Sequence, residues 1–361
     1  MISNGQDCSL LEGDVLTRKV DAYIRDNYAY LLDLIIEICS IPSPTGNEEK
    51  KADFILDMIR EITEEDTWKD EEGNVICHLK TGKDTDISLI TAHIDTVFEG
   101  IDKICPVRKG DRIYAPSIWD NSVNVAGLIF CIKMFHDLKA KPKRDMLLAF
   151  TVGEEGLGNL RGIKHIMHHW QDKIHEVAAL DTGYKSILNR SIGSRRYSIN
   201  VQTEGGHSWG AFGKPNAIAY ASRVINDLYK IDLPPHPKTT YNVGIIEGGR
   251  TVNSIAEEVE FVLDFRSTEE EHLSALEEKF FTLLEDSKEY GADIEIELLG
   301  ERPCSGDVDT SSIINRIKLI RQYLGLDTRL RAGSTDANIP LSLGIPAVTF
   351  GVCNGGKSHT F

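Results

Sequence analysis

Long apolar runs are missing from this sequence of 361 residues. A membrane-spanning helix needs about 20 consecutive apolar residues. The most apolar early stretch, Leu31 to Cys39, is interrupted by Asp33 and Glu37, so no transmembrane segment is expected. Residues 1–13 have neither a basic start nor an apolar stretch, so no secretory leader is expected either. Basic residues are in deficit: 40 Lys and Arg stand against 56 Asp and Glu, a formal net charge of −16. Nucleic acids and anionic membranes recruit basic patches, so neither is an expected partner. Cysteine is sparse and unpatterned. The seven residues, at positions 8, 39, 77, 105, 131, 304 and 353, form no CxxC pair. An odd, scattered set reads as reduced thiols in a cytoplasm rather than a disulfide framework. Repeats, low-complexity tracts and long linkers are also missing, so domain boundaries must come from the order of elements. What remains suits a globular chain with a sizeable core: 41% hydrophobic and 27% charged residues. The length suggests two domains at ~150 residues each.

The first half alternates helix and strand patterns. Thr45-Gly46-Asn47-Glu48 resembles a capping box. It opens a helix with Ala52, Ile55, Leu56 and Ile59 on one stripe. Short apolar runs at Val75–Leu79, Ser88–Ala92, Met146–Val152 and Val177–Leu180 suit strands buried on both faces. Helix patterns at Val123–Leu138 and Leu160–Trp170 separate them. This rhythm predicts an α/β sheet with helices on both faces.

The rhythm changes after about Ser191. A strand pattern at Tyr197–Thr203 precedes a helix at Asn216–Tyr229 and strands at Tyr241–Glu247 and Val259–Arg266. A long amphipathic helix at Glu269–Tyr290 and a strand at Ile294–Leu299 follow. The order β-α-β-β-α-β is ferredoxin-like and complete in itself. Residues 194–303 are therefore expected to form an inserted domain, with 1–193 and 304–361 as the two parts of the first. Helix Ser311–Leu324 and the apolar run Ile345–Val352 belong to that second part.

Several residues suited to metal chemistry follow predicted strands. His93-Ile94-Asp95 follows Ser88–Ala92, and a strand's carboxyl end is where α/β sheets place their sites. His93 and Asp95 fall on one side of an extended chain, so Asp95 is positioned to fix the imidazole tautomer. Glu154-Glu155 ends Met146–Val152, between Gly153 and Gly156. Adjacent carboxylates point opposite ways, so one suits a metal and the other a bound water. Asp181 ends Val177–Leu180, His359 follows the last apolar run, and Asp120 precedes a helix. Taken singly, each has an ordinary reading: a loop histidine, an N-cap, a solvated pair, a turn-opening Asp, a tail histidine. Together they put two histidines and several carboxylates at one sheet edge. Close like charges oppose each other's ionisation, and a pair of divalent cations neutralises them. Mixed His and carboxylate donors suit Zn²⁺, with Mn²⁺ or Co²⁺ as substitutes. His165, His168, His169 and His175 cluster near one helix. Although His165 and His169 are spaced i, i+4, they read as a surface face without a carboxylate partner.

This ordered set resembles the M20 family of co-catalytic metallopeptidases, nearest to its peptidase T-like members, over nearly the whole chain. The resemblance implies a zinc-exopeptidase-like catalytic domain with an inserted ferredoxin-like lid, and two Zn²⁺ per chain. It implies that His93 binds the first metal, oriented by Asp95, and that Asp120 bridges both metals. Glu154 is then the general base, Glu155 and His359 ligands of the second metal, and Asp181 a ligand of the first. In the lid, Gly205-Gly206-His207-Ser208 matches the family's transition-state histidine, often supplied across a dimer interface. Gly249-Arg250-Thr251-Val252-Asn253 and Asp264-Phe265-Arg266 match segments whose Asn253 and Arg266 hold the substrate. Asp at position 181 goes with amino- and dipeptidases in the resemblance group, so the expected substrate is a short peptide and the expected assembly a homodimer through the lid. The readings kept beside it are a deacylase or carboxypeptidase acting on N-acyl amino acids, and a catalytically impaired binding protein on the same fold.

Three features depart from the family pattern. Ser117-Ile118-Trp119-Asp120 stands for the usual Gly-x-x-Asp, and Asp120-Asn121-Ser122-Val123 for the usual Asp-x-Lys-Gly-type run. Two residues follow His359, where family members continue. The first two alter the surroundings of Asp120 without removing a ligand. The third gives the expectation of a loosely held His359.

Overall fold

A computed structural model of the chain describes residues 14–83 and 86–360. The reading of residues 1–13 lies outside them. In chain order the elements are α1 (Val15–Asp26), α2 (Tyr28–Cys39), α3 (Glu49–Ile62), β1 (Asp66–Lys69), β2 (Val75–Leu79), β3 (Ile87–His93), β4 (Val107–Lys109) and β5 (Arg112–Tyr114). There follow α4 (Val123–Asp137), β6 (Asp145–Thr151), α5 (Arg161–Trp170), β7 (Ile174–Leu180), β8 (Ser186–Ser191), β9 (Gly193–Gln202), β10 (Gly206–His207), α6 (Ala217–Leu228), β11 (Thr239–Gly248), β12 (Ser254–Ile255) and β13 (Glu258–Ser267). The last are α7 (Glu270–Thr282), α8 (Ser287–Tyr290), β14 (Asp293–Arg302), α9 (Ser311–Tyr323), β15 (Arg329–Gly333), α10 (Asn338–Ser342) and β16 (Ala347–Phe350). Residues Ile192–Ser305 form one compact unit and the chain on either side of them forms the other.

The outer unit holds a mixed sheet in the order β1-β2-β6-β3-β7-β16-β8-β15. Strands β6, β3, β7 and β16 run parallel to one another, while β1, β2 and the β16–β8 contact are antiparallel. The apolar runs serve two cores at once, because successive side chains on a strand face opposite ways. Val75, Cys77, Leu148 and Phe150 pack with Ile38 of α2, Ile55 and Ile59 of α3, and Ile129 of α4. Their neighbours Ile76, Leu147 and Ala149 pack with Ile163 and Ile166 of α5 and Ile339 of α10. Continuous Val/Ile/Leu runs are what a strand covered on both faces requires.

One local expectation is corrected. Thr45-Gly46-Asn47-Glu48 is not a capping box, because α3 begins at Glu49 and Glu48 makes no side-chain cap. The Thr45 hydroxyl donates to Asp95 Oδ2 at 2.9 Å, and the Glu48 carboxylate accepts from the Gly153 amide at 3.1 Å. Distant buried partners have taken both side chains away from the helix end.

The inner unit is a four-stranded antiparallel sheet, β11-β13-β9-β14, with the β-α-β-β-α-β order of a ferredoxin-like fold. Ile199, Val201, Phe261, Leu263 and Phe265 pack with Tyr220 and Val224 of α6 and Leu273 and Phe280 of α7. The long helix expected over 269–290 ends at Thr282. Backbone bonds tighten to i→i+3 at Leu284 and Glu285. Tyr220 of α6 donates to the Leu284 carbonyl at 3.4 Å, and Arg223 pairs with Asp286 at 2.7 Å. These contacts stabilise the break.

Candidate metal centre

The carboxyl ends of the parallel strands carry the site. His93 is the last residue of β3 and is 2% exposed. Its Nδ1 lies 3.2 Å from the Asp95 carbonyl and 3.5 Å from the Asp95 carboxylate. Its Nε2 makes no well-aligned hydrogen bond, and Asp120 Oδ1 lies 3.2 Å and Asp181 Oδ1 3.9 Å away. Asp181 directly follows β7. Asp120 sits in a widened turn, Ile118–Ser122, that leads into α4. Its φ of −122° and ψ of 86° are not those of a helix, and the Asp120–Asn121 peptide is cis. Asn121 fixes this turn: its Nδ2 donates to the Leu180 carbonyl at 2.9 Å and the His93 carbonyl at 3.3 Å, tying the ends of β7 and β3.

On the other side of Asp120, its Oδ2 lies 3.5 Å from His359 Nε2, which is 3.2 Å from Glu155 Oε1. The His359 side chain is half exposed yet within reach of both carboxylates. Three groups of potential ligand atoms result, each within 4.8 Å: His93, Asp120 and Asp181; Asp120, Glu155 and His359; and His93, Glu154 and Glu155. The gaps of 3.2–3.9 Å bracket the edge of a tetrahedron with bonds typical of Zn²⁺, roughly 3.4 Å.

The electrostatics agree. Burial pushes the His93 imidazole down, but the Asp120 and Asp95 carboxylates outweigh it and hold the ring well above its ordinary range. Burial works against ionised Asp120 too, and His93 overrides it to keep that carboxyl low. Burial raises the Glu155 carboxyl, with the charge of Asp120 adding to it. Burial and then Asp120 push Asp181 up to about 7. Two of the carboxylates thus resist ionisation where they stand, as expected of crowded anions that need a cation. An outward-facing imidazole nitrogen and crowded carboxylates fit divalent metal ions.

Asp95 is fully buried, and besides facing His93 its carboxylate holds two backbone amides. Oδ1 accepts from the Glu154 amide and Oδ2 from the Glu155 amide, both at 2.9 Å. Asn121, Asn74 and Glu48 were not anticipated, because their partners lie far away in sequence. On α5, His169 Nδ1 contacts the His165 carbonyl at 2.9 Å, and His165 lies 3.8 Å from Asp70. The histidine face therefore has a carboxylate neighbour that sequence spacing did not reveal.

His207, Asn253 and Arg266 all lie in the inner unit. His207 pairs with Ser254 across the β10–β12 ribbon, and the Ser208 amide donates to the Asn253 carbonyl at 3.0 Å, so His207 and Asn253 are neighbours. Arg266 is on β13, in the separate β9–β13 ladder. The β9–β13 pairing runs from Gln202 opposite Glu258 to Gly193 opposite Ser267, with His207 beyond the first end and Arg266 at the second. Eight residues of strand separate Glu258 from Arg266, roughly 26 Å. Arg266 Nε donates to Asp264 Oδ2 at 2.6 Å.

Around the carboxyl ends of its parallel strands the mixed sheet gathers two histidines and four carboxylates that could hold metal ions. The chain belongs to peptidase family M20/M25/M40, whose profile matches residues 89–360. It is 26% identical to the uncharacterized protein YqjE of Bacillus subtilis (strain 168) over 355 residues, 90% of this chain and 91% of that one. The fold is similar to that of a tripeptidase from Staphylococcus aureus subsp. aureus Mu50, with a TM-score of 0.77 at 23% identity over 91% of each chain. It is also similar to aminopeptidase PepT from Bacillus cereus ATCC 10987, with a TM-score of 0.73 at 25% identity over 91% of each chain. Among the described residues, no helix is long and apolar enough to cross a membrane.

Proposed function

We propose that this protein is a dinuclear zinc exopeptidase that removes residues from the amino end of short peptides. The observation that carries the reading is the division of Asp120, with Oδ1 toward His93 Nε2, which also lies near Asp181, and Oδ2 toward His359 Nε2, which also lies near Glu155. His93, Asp120 and Asp181 would hold one metal, and Asp120, Glu155 and His359 the other. When bound, such a pair lowers the pKa of water and polarises the scissile carbonyl. Glu154 is the general base: it takes a proton from the attacking water and delivers it to the leaving amine. Asp95 keeps His93 and the Glu154-Glu155 amides in place. His207 donates to the developing oxyanion, Asn253 supports it, and Arg266 pairs with the substrate carboxylate. Similarity to a tripeptidase and to an aminopeptidase supports the peptide substrate, as does Asp at position 181.

Arg266 lies roughly 26 Å along β13 from Glu258, while His207 and Asn253 belong to the separate β10–β12 ribbon that precedes Glu258 in the chain. This placement supports a homodimer in which a second copy supplies His207 and Asn253.

The test is metal analysis with an activity panel of free tripeptides and N-acyl amino acids, on wild type and Glu154→Ala. The expected outcome is two metals per chain in both proteins, turnover of peptides by wild type, and a fall in kcat of about 10²–10⁴-fold in the variant. Turnover confined to N-acyl amino acids identifies a deacylase instead. Normal turnover by Glu154→Ala removes the base assignment.

A further inference from the structure

Four consecutive backbone amides, Val152 to Glu155, are each held by a side chain from a distant part of the chain. Val152 N–H donates to Asn74 Oδ1 at 3.0 Å and Gly153 N–H to Glu48 Oε1 at 3.1 Å. Glu154 and Glu155 N–H donate to the two oxygens of Asp95 at 2.9 Å each. The carbonyl side is held as well: Leu160 N–H donates to Gly153 O at 2.8 Å and Gly162 N–H to Val152 O at 3.0 Å.

Glu48 is the costly member of this set. It is 4% exposed, and burying a carboxylate is unfavourable unless it is paired and hydrogen-bonded. Its Oε2 pairs with Arg161 at 2.7 Å, and Arg161 is fixed in turn by the Glu72 carboxylate at 2.7 Å and the Glu72 carbonyl at 2.9 Å. The fold thus commits a chain of ion pairs, buried at Glu48 and partly exposed at Arg161 and Glu72, to one amide next to the residue proposed as the base. That amide belongs to Gly153, whose φ of +64° is one L side chains rarely adopt. A Cβ there would lie 2.6 Å from Arg161 Cγ, so the clamp itself excludes any larger residue. A glycine peptide is the point where this segment turns most freely, and Glu48 holds its N–H while Gly162 and Leu160 hold the carbonyls on either side.

We propose that Glu48, braced by Arg161, is a positioning residue for hydrolysis: it locks the Gly153 peptide and so aims Glu154 at the attacking water and Glu155 at its ligand position. The proposal rests on the hydrolytic reading above. Misplacing a reacting group by about 1 Å costs on the order of 10²-fold in rate, which sets the expected size of the effect.

The experiment compares full-length, metal-loaded wild type, Glu48→Ala, Glu48→Gln and Arg161→Gln. It reads kcat and KM separately, metal content, and amide hydrogen exchange over residues 152–156. Glu48→Ala is expected to lose about 100-fold in kcat with KM nearly unchanged, and to lose exchange protection in this segment. Glu48→Gln keeps an oxygen for the Gly153 amide and is expected to recover most of both. Arg161→Gln, which leaves the carboxylate in place but unbraced, is expected to fall between them, and it provides the kinetic test if Glu48→Ala does not fold. A kcat within threefold of wild type for Glu48→Ala, or for Arg161→Gln where Glu48→Ala fails to fold, overturns the proposal. So does a Glu48→Gln variant no better than Glu48→Ala. A wild type with no turnover of peptides or N-acyl amino acids counts against the hydrolytic reading instead, and the exchange measurement still decides whether Glu48 holds the loop.

Discussion

Asp120 offers its two oxygens to different neighbours, and that asymmetry gives the two proposed metals different vulnerabilities. Oδ1 faces His93 Nε2, which Asp181 also approaches, and Oδ2 faces His359 Nε2. His359 has a half-exposed side chain, whereas His93 is buried. Asp120→Asn is expected to lose both metals after dialysis, because each site loses a charged ligand. His359→Ala is expected to lose one metal and keep the other, since His93, Asp120 and Asp181 remain. Metal counts by mass spectrometry decide this, and two metals retained by Asp120→Asn contradict a bridging carboxylate. The proposed bridging role of Asp120 came from the family resemblance and not from the local residues. An Asp before a helix reads first as an N-cap, and only the fold shows Asp120 outside the helix between two histidines. His93, Glu154, Glu155 and Asp181 were easier, because each stands at or within four residues of the end of an apolar strand. Glu48, Asn74 and Asn121 left no local signal, since the partners that define them stand between 28 and 105 residues away.

At the scale of elements, what was legible depended on burial. Strands covered on both faces announce themselves as apolar runs. The sheet's edge strands β1 and β15, partly or largely exposed and carrying Asp66, Lys69, Arg329 and Arg331, do not. Charged edges resist further strand pairing, and the same charges hide the strand from a hydrophobic pattern. Helix α3 shows the converse. Its buried stripe of Ala52, Ile55 and Ile59 was legible, but Lys51 beside it is 1% exposed, with Nζ donating to the Ile94 carbonyl at 3.2 Å. Burial pushes this ammonium down from 10.5 to about 8. Between pH 8 and 10.5 the unfolded chain therefore holds more protons than the native one, and stability rises with pH across that window. Below it the buried charge costs about 3 kcal/mol. The stability of Lys51→Met relative to wild type is accordingly expected to be about 3 kcal/mol greater at pH 7 than at pH 10.5. Urea unfolding at the two pH values measures it. The lost bond to the Ile94 carbonyl offsets both values equally, so a pH-independent difference rules out the depressed lysine.

At the scale of the whole molecule, the inner unit's ladder provides the test of the proposed dimer. His207 and Asn253 lie beyond one end of the β9–β13 pairing, and Arg266 at the other. If each active site takes Arg266 from its own chain and His207 from a second, two dead variants can repair each other. His207→Ala retains Glu154, and Glu154→Ala retains His207. Mixed after dissociation and reassociation, they form heterodimers in which the subunit with intact Glu154 receives its partner's intact His207. Random exchange at equal amounts makes half the dimers mixed, each with one competent site of two, so activity is expected to reach about a quarter of wild type. If His207 serves its own chain, every site in the mixture lacks one group or the other and activity stays at the level of the separate variants. The readout needs no knowledge of the preferred peptide, only one substrate that wild type turns over. Sedimentation of the mixture, run alongside, shows whether dimers formed, so a silent mixture containing dimers counts directly against the shared site.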